Sequence, residues 1–169
     1  PEPQPTAHRF QRTAEGDYAA LGNGALNVGS NSLVIVNADD VVVVDSHVTP
    51  AAARALVEDI RTLTLKPVKY VIDTHYHWDH AHGNQVFGPD VQIIGHEFVR
   101  QMLLGDVLAQ RTYRSFTDPL PAQLGNLRKQ AAAEADPSRR DLLERRVASQ
   151  EGYAAALKEI RPTPPNLTY

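Results

Sequence analysis

Val68-Lys69-Tyr70-Val71-Ile72-Asp73-Thr74-His75-Tyr76-His77-Trp78-Asp79-His80-Ala81-His82-Gly83-Asn84 is the stretch whose reading decides the fold. Its opening run is apolar and β-branched, with no glycine or proline inside it, and reads as a buried strand. That strand runs into four of the chain's seven histidines, with an aspartate among them. A strand that ends in imidazoles delivers them together to one edge of a sheet. His75 and His77 are two apart, so an extended backbone sends both side chains off the same side. Asp79 and His80 follow where the chain must turn, and can approach the same point from another direction. Neutral imidazole and carboxylate are ligands that divalent zinc or a similar transition metal accepts. One histidine near a strand end is usually an ordinary hydrogen-bonded residue; four at this spacing beside an acid call for another explanation.

The residues from His75 to His80 match the pattern H-x-H-x-D-H, and through them the chain resembles the metallo-β-lactamase superfamily, in its glyoxalase II-like branch of metallo-hydrolases. The resemblance implies that His75 and His77 bind one metal and that Asp79 and His80 bind a second. The ions it implies are Zn2+, two per complete enzyme. It also implies that an aspartate at the end of an earlier strand lies beneath the metals, and Asp45, closing Val41-Val42-Val43-Val44, matches it. A carboxylate there would orient a ligating imidazole and fix its tautomer; the plainer alternative is an aspartate that caps a turn. His82 departs from the pattern, standing where the family commonly has glycine, while Gly83 keeps the glycine that follows. His82 is therefore a residue that lines the pocket or points to solvent. His47 and His96, each at a strand end, are further candidates for the pocket. His8, in the leader, is set aside.

Upstream of the motif, Ser32-Leu33-Val34-Ile35-Val36 and Val41 to Val44 flank Asn37-Ala38-Asp39-Asp40, which predicts a hairpin. Continuous valine suits strands covered on both faces. Before the hairpin, residues 18–21 read as a strand and residues 22–31 as a glycine- and asparagine-rich loop. Thr49-Pro50-Ala51 opens a helix, with threonine as N-cap and proline in the first turn. Leu56, Ile60 and Leu63 share its apolar side. Strand, helix, strand is a crossover unit with the candidate ligands at the strand's C-terminal end, where α/β proteins place chemistry. After the strand Val91-Gln92-Ile93-Ile94, residues 97–161 read as helical, with Leu120, Leu124, Leu127 and Ala131 recurring at helical spacing and Leu143, Val147, Ala154, Leu157 and Ile160 continuing it. These are helices that cover a core or, in the sharper reading, an inserted helical hairpin that overhangs the site. Residues 162–169 look like a linker entering another strand.

The chain has 169 residues, enough for one domain. Hydrophobic content of 42% with 22% charged is that of a globular protein, and the formal net charge of −3 gives no electrostatic case for nucleic acid or for an anionic membrane. No apolar run is long enough to span a bilayer. With no cysteine, any metal must be held by nitrogen and oxygen. The proline-rich start without methionine is what a processed, exported periplasmic protein of a bacterium or a trimmed chain would show.

The predicted fold class is thus α/β: a flexible leader over residues 1–16, then an incomplete metallo-β-lactamase domain over residues 17–169. The resemblance makes this the N-terminal half of a four-layer αββα sandwich followed by a helical segment. The missing half normally supplies more ligands, and no histidine follows His96. The implied activity is zinc-dependent hydrolysis of an ester, thioester, lactam or similar bond of a small-molecule substrate by a metal-bound hydroxide, with Asp79 helping to orient the nucleophile. The 169-residue chain alone is expected to be inactive and to need the missing C-terminal half or another copy. The alternatives are a metal-binding or interaction fragment without catalysis, a di-iron redox enzyme (which favours glutamate at the position of His77) and an RNA-processing nuclease, against which the absence of a basic patch counts.

Overall fold

Apolar, β-branched runs punctuated by turn formers give strands where the sequence predicts them, and the length of each connection sets their direction. The computed structural model describes residues 7–169. In it β1 (His8–Ala14), β2 (Asp17–Gly22), β3 (Ser32–Val36), β4 (Val41–Val44), β5 (Val68–Asp73), β6 (Gln92–Gly95) and β7 (Leu167–Thr168) lie side by side in chain order. β1 to β4 pair antiparallel through turns and a loop; β4 to β7 are parallel and joined by helical crossovers. The leader expected over residues 1–16 is corrected from His8 onward, because His8–Ala14 pairs with β2 as an edge strand. Pairing along a neighbour supplies the backbone hydrogen bonds that its own exposed side chains do not announce. The rest of that leader, residues 1–6, lies outside the described residues.

Helix α1 (Pro50–Ile60) crosses from β4 to β5 and starts as the sequence requires. Thr49 is extended and its hydroxyl accepts from the Ala52 amide at 3.1 Å, with Pro50 in the first turn. Leu56 and Ile60 bury themselves on Val34, Val41, Val43, Val71 and Ile93, forming the main core on one face of the sheet. The opposite face is different. Leu33, Val44, Ile72 and Ile94 stand in register across four strands, with Ile35 and Val42 beside them, and all are only half-buried. Strands expected to be covered on both faces are covered on one.

Five helices follow the motif strand: α2 (Trp78–Ala81), α3 (Glu97–Leu104), α4 (Arg111–Thr117), α5 (Leu120–Ala133) and α6 (Pro137–Leu157). α5 and α6 pack on each other as a hairpin, with Arg128 donating to Glu151 at 2.9 Å across it. Among their described residues only Ala131, Tyr153 and Ala156 are buried. The chain then returns to the sheet. Asn166 pairs with the Ile93 backbone in both directions at 2.9 Å, and β7 extends the sheet beyond β6. Among the described residues no helix is long and apolar enough to cross a membrane.

Candidate metal centre

β5 ends at Asp73, and the next residues bring His75, His77 and His80 against one another. The ring centroids of His75 and His77 are 4.7 Å apart and those of His75 and His80 are 4.1 Å apart. His80 reaches this cluster because α2 turns the chain immediately after His77. Its Nε2 lies 3.3 Å from Asp79 Oδ2.

Asp45 organises the cluster from beneath. Its carboxylate accepts from the Thr74 amide at 2.9 Å, from the Thr74 hydroxyl at 2.8 Å and from His80 Nδ1 at 2.7 Å. The Thr74 hydroxyl has one proton, and Asp45 takes it. The bond between Thr74 Oγ1 and His75 Nδ1 at 3.0 Å must then be donated by the imidazole. Asp45 therefore orients His80 directly and His75 through Thr74, while His80 Nε2 faces Asp79 Oδ2. The hydrogen bond to Asp45 raises the His80 pKa, while burial and the neighbouring His80 and His77 lower that of His75.

The loop that carries Asp45 is held in an unusual backbone. Asp45 and His47 have φ of +65° and +73°, a conformation costing about 1–3 kcal/mol for residues with a Cβ. Its hydrogen bonds make that conformation the only one that fits. Ser46 N donates to His80 O at 2.6 Å, Gly83 N to His47 O at 3.2 Å, and the Ser46 hydroxyl to Asn84 Oδ1 at 2.7 Å. Asn84 in turn donates to Asp73 Oδ2 at 2.8 Å. Burial pushes Asp73 up to about 8 despite that bond. At Gly83 a Cβ would fall on the Ser46 carbonyl and meet Ala53 Cβ at 2.6 Å, so glycine is needed for the loop and the motif to touch.

The outlying histidines separate. His47 is fully buried and hydrogen-bonds through Nε2 to His8 Nε2 at 2.9 Å, with the two rings stacked. It therefore supports the loop from inside, and burial lowers its pKa to about 3. His8 also gives its Nδ1 to Asp59 Oδ2 at 2.8 Å, an oxygen that accepts the Ala7 and His8 amides as well. Sequence reasoning missed this pair, and no local signal could have found it, since the partners are some fifty positions apart. His82 is buried and meets Tyr113 of α4 edge-on at 5.5 Å; together with His77 and Trp78 it lines a cavity of about 10 Å³. Burial lowers its pKa to about 4. His96 is exposed and caps α3, accepting from the Phe98 amide at 3.0 Å, with its ring against Tyr169 and not the motif.

The imidazoles of His75, His77 and His80 and the Asp79 carboxylate are a nitrogen and oxygen donor set that suits zinc. Among the described residues no three such side chains converge on one point as a ready-made cage. The chemistry of the set fits a metal, while the shell it can form from this chain is partial.

Comparisons with known proteins bear on the fold that carries these residues. Residues 26–96 match the model of the Metallo-beta-lactamase superfamily. The "Probable metallo-hydrolase YqjP" of Bacillus subtilis is 35% identical over 74 residues, which are 42% of this chain and 23% of that protein. The crystal structure of the metallo-beta-lactamase FIM-1 from Pseudomonas aeruginosa in its mono-zinc form superposes with a TM-score of 0.50 at 18% identity, covering 60% of this chain and 47% of the other. A metallo beta lactamase from Erythrobacter litoralis, solved with beta mercaptoethanol in its active site, gives a TM-score of 0.48 at 26% identity over 55% of this chain and 43% of its own. The chain thus spans less than half the length of these relatives. The chain is therefore similar to the Metallo-beta-lactamase superfamily over residues 26–96, and its seven-stranded sheet with helices shares the fold of the FIM-1 structure over 60% of this chain.

Proposed function

We propose that this chain supplies one half of the metal centre of a zinc-dependent hydrolase acting on an ester, thioester, lactam or similar bond. His75 and His77 would hold one ion, and Asp79 and His80 a second. The observation that carries this reading is the Asp45 network. A single buried carboxylate holds His80 directly and His75 through Thr74, and His80 Nε2 faces the Asp79 carboxylate at 3.3 Å. This gathers two imidazoles and a second carboxylate at one place, the donor types a divalent metal takes. When bound, divalent zinc supplies Lewis acidity and lowers the pKa of water from about 16 to about 7. The chain's own contribution is orientation. Asp79 can accept a hydrogen bond from the attacking water, and Asp45 keeps the His80 proton on Nδ1. The half-exposed sheet face of Leu33, Val44, Ile72 and Ile94 supports the second element of the proposal, that the other half of the fold or another copy of this chain covers it and completes the ligand set.

His77→Ala tests the assignment. Zinc content by elemental analysis should fall, and turnover should drop by more than the roughly 10–100-fold typical of residues that only support a ligand. Unchanged zinc content would remove His77 from the site. A competing reading, a metal-binding or interaction fragment without catalysis, draws on the absence of three converging ligands among the described residues. Zinc binding without turnover on an ester, thioester, lactam and phosphodiester panel would favour it.

A further inference from the structure

The helical region has a groove of its own, and that groove shares a wall with the motif. Tyr113 of α4 borders the small cavity beside His77, Trp78 and His82. It also borders an open groove of about 350 Å³, whose other walls include Leu120, Leu124, Ala154 and Leu157, with Lys158 at the edge. That volume falls in the range of roughly 300–1,000 Å³ for small-molecule sites. Aliphatic side chains from α5 and α6 make most of the lining, with Tyr113 and Thr117 from α4, and among the described residues the exposed Lys158 is its one cation.

Unpaired polar atoms gather between this groove and the histidines. Trp78 Nε1, both ring nitrogens of His82 and the Tyr153 hydroxyl are buried without a hydrogen-bond partner among the described residues. Each such group costs about 1–3 kcal/mol, and native interiors seldom leave several together. They belong to one ring cluster. Tyr153 lies 6.4 Å from Phe116, Phe116 5.2 Å from Trp78, and Trp78 6.5 Å from Tyr113. The hairpin therefore joins the motif through aromatic rings with unused donors, and opens on its far side into an apolar groove.

We propose that the groove between α4, α5 and α6 binds the apolar portion of the substrate, an unbranched acyl or alkyl chain, with the polar end of that substrate directed past Tyr113 to the motif histidines. The proposal rests on the hydrolase reading above and narrows it to amphiphilic substrates. A small molecule is favoured over a protein partner because the groove is concave, has the volume of a ligand site and is separated only by Tyr113 from the small cavity beside His77, Trp78 and His82.

Trp78 is the only tryptophan, so its emission reports on the ring cluster. Octanoate titrated into the protein should shift that emission, and acetate should not. Ala154→Leu, which fills the groove, and Leu124→Gln, which makes its half-buried wall polar, should each weaken octanoate binding by about tenfold or more. In parallel, kcat/KM for p-nitrophenyl octanoate should exceed that for p-nitrophenyl acetate, and both variants should lower the ratio. An emission unmoved by octanoate, or equal binding by the folded variants, overturns the proposal whether or not the esters are cleaved. Octanoate binding that both variants weaken, with no cleavage of either ester even once the other half of the centre is supplied, upholds the groove and counts against the hydrolase reading alone. If a second copy covers the groove instead, octanoate leaves Trp78 unmoved and the variants change the mass in solution, which also overturns it.

Discussion

The loop-and-motif region and the α5–α6 hairpin are built on opposite principles. Beneath the histidines, Asp45, Ser46, His47, Asp73 and Asn84 are all buried, and hydrogen bonds connect nearly every one of them to another element. In the hairpin most side chains are exposed, and the contacts that cross it include ion pairs in solvent such as Arg128 with Glu151. A buried polar network tolerates one arrangement, because each unmade bond costs the full desolvation of its group. An exposed ion pair exchanges with water at little loss. The first region is held in one arrangement, and the second can adjust.

The contrast can be broken most severely at Gly83. Gly83→Ala places a methyl on the Ser46 carbonyl and against Ala53, so the loop and motif must separate. Overpacking of this kind costs about 1–3 kcal/mol and occasionally more, and here backbone rather than a flexible side chain is in the way. Thermal unfolding should show a clear loss of stability, and zinc binding should weaken with it. Asp45→Asn is the next largest change. It keeps the size of the side chain but loses the charge that holds His80 Nδ1–H, and should cost roughly 10–100-fold in metal affinity or activity. A variant that alters folding alone would return Asp45 to a turn cap.

Acid should act on the same region more gradually. Burial lowers the pKa of His47 to about 3 and that of His82 to about 4 in the folded protein, against the ordinary histidine value of 6.5. The unfolded chain then binds more protons than the folded one below that value. Stability is fully present above pH 6.5, falls as the pH drops from there, and is lost as it passes the folded values. Denaturant midpoints measured from pH 7 to pH 4 should fall, and His82→Leu should flatten part of the slope. The smallest effect belongs to the hairpin. Glu151→Gln breaks an exposed pair and should change stability by no more than about 1 kcal/mol, less at high salt. A larger loss would show that the hairpin is fixed as firmly as the motif.

Much of this was legible in the residues themselves. Thr49-Pro50 marks the start of α1, Asn37-Ala38-Asp39-Asp40 the β3–β4 turn, and His75 to His80 the cluster, because caps, turns and strand periodicity act over a few positions. The same local rules missed His8, which the proline-rich start hid, and did not foresee that His96 caps its own helix and touches Tyr169. They could not foresee that His47 would be enclosed, since its partners come from β1 and β3.

By itself, then, the sequence determined the α/β class, the order of the elements and the donor set at the end of β5, all consequences of neighbouring residues. The tertiary structure alone decided that Asp45 governs two imidazoles at once, one of them through Thr74. It also decided that Asp59 anchors His8, that the sheet has one covered and one half-exposed face, and that Tyr113 divides the histidines from an apolar groove. Each of these depends on groups far apart in the chain meeting at hydrogen-bond or van der Waals distance. Such meetings are fixed by how strands register and helices pack, which no short window of residues specifies.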